Sequence, residues 1–280
     1  MGNKCTARPP SKLKLATLVL LSHSCVRSTH AEVIISVVLP HGDFAFAPEL
    51  VQGRNGAQEL HDAVLVALDE ICHAQPDLIV LSTPHGIALS TDFGFYANEE
   101  LSGTAVLGND LLNATAGQLL PVNATARGAA GPAAALAADL AAEGHRTQAL
   151  SAFGGGAAPF PLGWGEVLPL RALHARCPAL AAAPTLVLAH PSRRHAAAAA
   201  MVPELLALGG ALLRRLEAPP LRQSRVALIV SADLAHTHLA AGPYGFSPAA
   251  APFDAACARW AAALDGPALT GGGGGGVGDL

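Results

Sequence analysis

Two predominantly apolar runs constrain this chain most: EVIISVVL at 32–39 and LIVLST at 78–83. Each is short and rich in aliphatic residues, and each is followed directly by Pro-His-Gly, at 40–42 and 84–86. A run with no polar alternation reads as a strand buried on both faces, which is the environment of a parallel sheet covered by helices. Between the two runs, AQELHDAVLVALDEICHA (57–74) sets Leu60, Val64, Leu65, Leu68 and Ile71 at helical spacing, and Pro76 stops the helix. The order is strand, loop, helix, strand: a βαβ unit. If its two strands are parallel neighbours, His41 and His85 arrive together at the carboxyl edge of the sheet, where open α/β sheets build their sites. Proline ends each strand, and glycine lets the backbone turn close to a ligand.

The alternation continues along the chain. PAAALAADLAAEGH (132–145) predicts a helix, PTLVLAH (184–190) a strand, and MVPELLALGGALLRRLEA (201–218) a helix with Pro203 in its first turn. RVALIVSADLAHTH (225–238) predicts a strand that again ends on histidines, and PFDAACARWAAALDG (252–266) a last helix. The fold class is therefore α/β. The expected organisation is an N-terminal extension (1–31), one domain (32–266) and a tail (267–280) whose six-glycine run does not favour ordered structure.

Composition narrows the function classes. A formal charge of −4 with scattered Lys and Arg gives no electrostatic footprint for nucleic acid, and the aromatic fraction of 4% offers no base-stacking platform. Much of the apolar fraction is alanine, which favours helix but buries little area per residue. The five cysteines (Cys5, Cys25, Cys72, Cys177, Cys257) are odd in number and widely spaced, with no CxxC. That spacing argues against a disulfide framework or structural zinc site and points to a reducing, cytoplasmic setting, with Cys72 and Cys177 as small buried residues.

Three features keep other locations open. MGNKCT has the Gly2/Thr6 spacing of a myristoylation signal, with Cys5 as a palmitoylation partner. KLKLATLVLLSHSCV has the basic start and apolar core of a secretory signal, though its apolar run is too short to span a bilayer. Asn113 and Asn123 each begin an Asn-Ala-Thr sequon, which matters in a secreted chain.

Three predicted strands end in histidine: His41, His85, and His236 with His238. Two neutral imidazoles plus a carboxylate form a facial set suited to Fe(II) oxygen chemistry, and the same donors suit Zn(II). The acids within reach in sequence are Asp43, Glu49, Asp92, Glu166 and Asp233, where Asp43 and Asp92 also read as turn caps and Asp233 as a holder of backbone amides. Arg193 and Arg194 in HPSRRH read either as a greeting for an anionic substrate group or as a solvated turn. Phe44, Phe46, Phe93 and Phe95 follow the two Pro-His-Gly elements and read either as walls around an aromatic ring or as core.

These segments, LPHGD, STPHG and SADLAHTHLAAGPYGFSPAAAPFD, with this strand–helix order, resemble the class III extradiol ring-cleavage dioxygenase family over roughly 32–265. The resemblance implies a three-layer α/β/α sandwich around a mixed, largely parallel sheet. It implies a non-haem Fe(II) enzyme that inserts both atoms of O₂ into a catechol-type aromatic substrate; zinc stays an alternative on donor type, and a homo-oligomer is left open. By resemblance His41 and His85 match the two His iron ligands and His236 the acid/base on the substrate hydroxyl. Tyr244 in GPYGF and His238 are substrate-side candidates, with His238 alternatively a surface residue. Trp164, in LGWGEVLPL, stands where the family carries a substrate-contacting His; an indole cannot accept a proton but can stack on a ring. The family's third ligand, often Glu, lies C-terminal to the GPYGF segment, where this chain has Asp265 and Asp279; Glu166 is a substitute. A related branch, the Memo-like proteins, implies the alternative of a metal- or peptide-binding module without turnover.

Overall fold

The computed structural model describes residues 32–51, 57–108, 119–153, 158–264 and 266, together with the backbone of 18–20. In chain order the elements are β1 (Leu18–Leu20), β2 (Glu32–Leu39), α1 (Ala57–Ala74), β3 (Leu78–Thr83), β4 (Phe93–Tyr96), β5 (Glu100–Leu107), β6 (Leu120–Arg127), α2 (Ala130–Ala142), β7 (Thr147–Leu150) and β8 (Phe160–Leu162). They continue as α3 (Trp164–Arg176), β9 (Thr185–Ala189), α4 (Arg194–Leu216), β10 (Arg225–Ser231) and α5 (Ala250–Ala263). Seven strands form one sheet in the order β1-β2-β10-β3-β9-β4-β7. β2, β10, β3 and β9 are mutually parallel, while β1 and β4 are antiparallel to β2 and β9. A second sheet, β6-β5-β8, has three strands. The fold is α/β, with a mixed, largely parallel central sheet.

The apolar runs divide their side chains between two cores. On one face Ile35, Val37, Leu39, Ile79, Leu81, Val187 and Ile229 pack with α1 and α3 and with the inner face of the small sheet. On the other, Leu78, Val80, Leu186, Leu188 and Val226 pack with α2 and α4. Strands covered on both sides need apolar residues at every position, which is why the periodicity of two is missing from these segments. Phe93 and Phe95 are fully buried on β4, and Phe46 packs against the first core, so the core reading of these aromatics holds.

Several boundaries and pairings depart from expectation. β2 and β3 are parallel but not neighbours: β10 lies between them. That insertion is a long-range crossover and leaves no mark in the local pattern. β10 itself stops at Ser231, and the segment 232–238 leaves the sheet: Asp233, His236 and His238 turn to side-chain partners, with His238 in an isolated bridge to Phe246. α4 begins at Arg194, earlier than the expected 201, because the alanine run 196–200 extends the helix across a kink at Ala197. By length and composition α4 is the one helix among the described residues that is long and apolar enough to cross a membrane. It lies on the sheet through Met201, Leu208, Ala211, Leu212 and Leu216, and Arg215 in its last turn pairs with Asp139 and Glu143 beside α2.

The cysteine expectation is corrected. Cys72 of α1 and Cys177, the residue capping α3, form a disulfide with Cα atoms 5.7 Å apart. The bidentate pair of Arg176 with Asp69 lies beside it and joins the same two helices. The two cysteines stand 105 residues apart, and only the packing of α1 on α3 brings them together. Cys257 is a free thiol. Cys5, Cys25, Asn113, the lipidation and signal motifs and the glycine tail lie outside the described residues; Asn123 is exposed on β6.

Candidate functional site

The carboxyl ends of β2, β10 and β3 are level. Leu39 pairs with Ser231, and Val230 pairs with Ser82, which sets Thr83 in the same row. His41, Asp233 and His85 each stand two residues beyond that row. The sheet therefore delivers two imidazoles with one carboxylate between them, from three adjacent strands. The carboxylate comes from the middle strand.

Hydrogen bonds fix the His41 ring. Ser231 Oγ donates to the Gly165 carbonyl at 2.7 Å, which uses the only hydroxyl proton. The 3.0 Å contact between His41 Nδ1 and Ser231 Oγ must then run from the ring N–H to the hydroxyl oxygen. In the neutral ring the lone pair is thereby assigned to Nε2, which stands 3.3 Å from Asp233 Oδ2. The other oxygen of Asp233 accepts the His41 backbone N–H at 2.9 Å, as expected of a carboxylate holding an amide. His41 is only 4% exposed.

His85 meets His41 edge-on, with ring centroids 4.5 Å apart and planes at 78°. Its other side is covered by the Trp164 indole at 4.3 Å and 32°. Burial, followed by the His41 and Arg194 charges, lowers the His85 pKa to about 4, so the ring is neutral at neutral pH. The close seat of α3 depends on two glycines. A Cβ at Gly165 would lie 2.8 Å from His85 Cβ and 2.9 Å from Thr83 Oγ1. A Cβ at Gly86 would run into the Tyr96 hydroxyl and come within 2.7 Å of Glu166 Oε1.

Behind the second Pro-His-Gly element runs a buried polar chain. The Ile87 N–H donates to the Tyr96 hydroxyl at 2.7 Å, and that hydroxyl donates to Glu166 Oε1 at 2.9 Å. Glu166 Oε2 accepts the Gly163 N–H at 2.9 Å, closing the first turn of α3. Glu166 is fully buried, and burial raises its pKa to about 7. It seats the His85 loop and the start of α3 and does not line the cleft. Asp43 and Asp92 are also committed, Asp43 Oδ2 accepting the Gly108 N–H at 2.6 Å and Asp92 bonding Thr91 and Gln148, while Glu49 is exposed and does not line the cleft. Asp265 and Asp279 lie outside the described residues.

His236 stands in the 232–238 loop with Nε2 at 3.5 Å from the same Asp233 Oδ2, half-exposed at the mouth of a cleft of about 510 Å³. His41, Pro84, His85, Asp233, His236 and Phe253 line that cleft. Tyr244 touches His236 edge-on at 5.3 Å and is 64% exposed. His238 is turned away: its Nε2 lies 2.9 Å from Asp254 Oδ2, and Asp254 also holds the Ala235 N–H, so His238 ties the loop to α5. Neither Trp164, His238 nor Tyr244 lines the cleft; Trp164 reaches it only through His85. Arg193 pairs with Glu204 and the Thr91 carbonyl, and Arg194 donates to the carbonyls of His190 and Pro191, so both brace a turn outside the cleft.

Among the described residues no group of three His, Cys, Asp or Glu side chains is already arranged to hold a metal ion. The donor types nonetheless suit one: a lone-pair nitrogen on His41, a neutral His85 and an adjacent carboxylate. The residue that sequence reasoning undervalued is Asp233. Its signal is the offset it shares with the two histidines beyond the strand row, which is invisible until the strand order is known.

No family model matches the chain, and no curated protein matches it. Among solved structures it is similar to an uncharacterized protein, JW3007, from Escherichia coli K12, at 17% identity over 80% of this chain and 71% of that one, with a TM-score of 0.40.

Proposed function

We propose that this chain is a non-haem Fe(II)-dependent extradiol dioxygenase that opens the ring of a catechol-type substrate with O₂. The observation that carries the reading is the meeting of His41 and His85 at one sheet edge, rings 4.5 Å apart, both beside the Asp233 carboxylate and the His236 loop. His41 and His85 would hold the metal through neutral imidazole nitrogens. When bound, a ferrous ion supplies the chelation of both catechol oxygens and the activation of O₂ beside them.

The protein's own groups do the rest. Ser231 holds the His41 ring so that Nε2 bears the lone pair. Trp164 shields one face of His85 from water. His236 takes the proton from a substrate hydroxyl and returns it during ring opening, with Asp233 orienting its Nε2. The overall reaction balances without another reductant: both oxygen atoms enter the product, and the carbon–carbon bond beside the two hydroxyls breaks.

The test is anaerobic reconstitution with Fe(II), then a panel of catechols with oxygen uptake and visible absorbance recorded. Stoichiometric oxygen uptake with a yellow ring-opened product supports the reading; iron-loaded protein that consumes no oxygen with any catechol overturns it. One observation favours a second reading, a Memo-like metal- or peptide-binding module. Leu239, Tyr244 and Phe246, on the segment that follows His236, are 69%, 64% and 64% exposed, an apolar rim that a peptide could cover. That reading expects metal retention without oxygen uptake.

A further inference from the structure

We propose that Asp233 is the third, carboxylate ligand of the metal that His41 and His85 hold, so that β10 supplies at the middle of the sheet edge the acid which the family resemblance places near the C-terminus. This rests on the metal-dependent reading above and extends it to a residue that the resemblance does not assign.

Strand register places the carboxylate. His41, Asp233 and His85 project from equivalent positions on three adjacent parallel strands, each two residues past the row Leu39, Ser231 and Thr83. No other acid among the described residues occupies such a position: Glu166, Asp43 and Asp92 spend their oxygens on partners outside the cleft.

Donor spacing agrees with that placement. His41 Nε2 and Asp233 Oδ2 are 3.3 Å apart. A charge-assisted N–H···O bond draws its atoms to about 2.7–2.9 Å. Two ligands sharing one ion through bonds of about 2.1 Å at angles between about 90° and 109° stand about 3.0–3.4 Å apart. The observed 3.3 Å falls within that range. The hydrogen bonds are compatible with this: Nδ1 of His41 carries its proton toward Ser231, so in the neutral ring Nε2 is the nitrogen that can bind a metal. Asp233 is anchored through Oδ1 by the His41 amide, leaving Oδ2 directed at the His41 and His236 rings. His236, at 3.5 Å from the same oxygen and half-exposed, remains outside the set as the proton carrier. Since three donors are not yet gathered around one point, metal binding reorients at least one of these side chains.

The test uses metal-free full-length protein titrated anaerobically with Co(II), read by ligand-field absorption and dissociation constant, with no turnover required. Asp233→Asn is expected to weaken Co(II) binding at least about tenfold and to change the ligand-field spectrum, whereas Asp92→Asn, whose oxygens bond Thr91 and Gln148 outside the cleft, leaves both unchanged. Asp233→Cys provides the decisive signature, and it also covers a misfolded Asn variant: a thiolate on the metal adds a sulfur-to-cobalt charge-transfer band, which a purely structural residue cannot produce. Wild-type affinity and spectrum in Asp233→Asn, or cobalt binding without that band in Asp233→Cys, overturns the proposal. The outcomes separate the two claims. A charge-transfer band in Asp233→Cys together with iron-loaded wild type that consumes no oxygen keeps the ligand and removes the dioxygenase; catechol turnover with cobalt binding insensitive to residue 233 does the reverse.

Discussion

His41 Nδ1 donates to Ser231 Oγ at 3.0 Å, and Ser231 passes its own proton to the Gly165 carbonyl at 2.7 Å. One hydroxyl thus sets the tautomer of a strand-end histidine and pins the first turn of α3 to the sheet. Ser231→Ala leaves a buried ring N–H and a buried carbonyl without this partner, a cost of about 1–3 kcal/mol. The expected result is a lower urea midpoint and metal affinity reduced about tenfold or more, measured by equilibrium unfolding and Co(II) titration. Unchanged metal affinity in a folded Ser231→Ala variant would contradict the tautomer assignment.

Close packing of α3 against the His85 loop leaves no room for a methyl group at Gly86. There an added Cβ would meet the Tyr96 hydroxyl, Glu166 at 2.7 Å and Ala189 Cβ at 2.8 Å. Gly86→Ala is expected to destabilise by about 1–3 kcal/mol through overpacking and to displace His85. Gly131→Ala has open space around it, so it serves as the comparison in the same thermal melts. Equal stability of the two variants would show that the loop has room to yield.

Glu166 gives stability a pH dependence of definite sign. Burial raises its folded pKa from 4.5 to about 7, so the folded chain keeps a proton that the unfolded chain releases. Its contribution is complete below pH 4.5, declines as pH rises between 4.5 and 7, and is lost above the folded pKa. Glu166→Gln, which cannot titrate, should flatten that decline in urea midpoints taken from about pH 5 to 8, in steps of about half a unit. Parallel profiles in wild type and variant would remove Glu166 as the cause.

Cys72 and Cys177 close a loop between residues 105 apart. In the chain-entropy account a cross-link of that span stabilises by about 4–5 kcal/mol. Alkylation of the unreduced protein should block Cys257 and spare Cys72 and Cys177, and reductant should lower the melting temperature. Full alkylation of Cys72 and Cys177 without reductant would rule out the bond.

How much of this was legible in the sequence depended on whether the signal was local. β2, β3 and β9 were readable almost to the residue, because uninterrupted Val, Ile and Leu bounded by proline have few other uses. α1 was equally plain from Val64, Leu68 and Ile71. The small sheet was not: β5 and β6 alternate, but their inward positions are largely alanine, such as Ala105, Ala124 and Ala126, which carry little hydrophobic contrast. His41 and His85 were found by their echoed motif. The central position of Asp233 was hidden because it depends on β10 entering between β2 and β3. His238 and Tyr244 were candidates by position in the SADLAHTH and GPYGF segments, and their surroundings depend on how the segment after Ser231 folds. As loop, it sends His238 to Asp254 and leaves Tyr244 at the rim.

Every role proposed for this site depends on His41 and His85 holding one metal ion between them. Metal content after anaerobic Fe(II) loading and desalting, measured by mass spectrometry of the bound metal for wild type, His41→Ala and His85→Ala, tests this most directly. The prediction is one ion per chain in wild type and loss of that ion in each variant, with both variants still folded by circular dichroism. Iron retained at the wild-type level in either folded variant would contradict it.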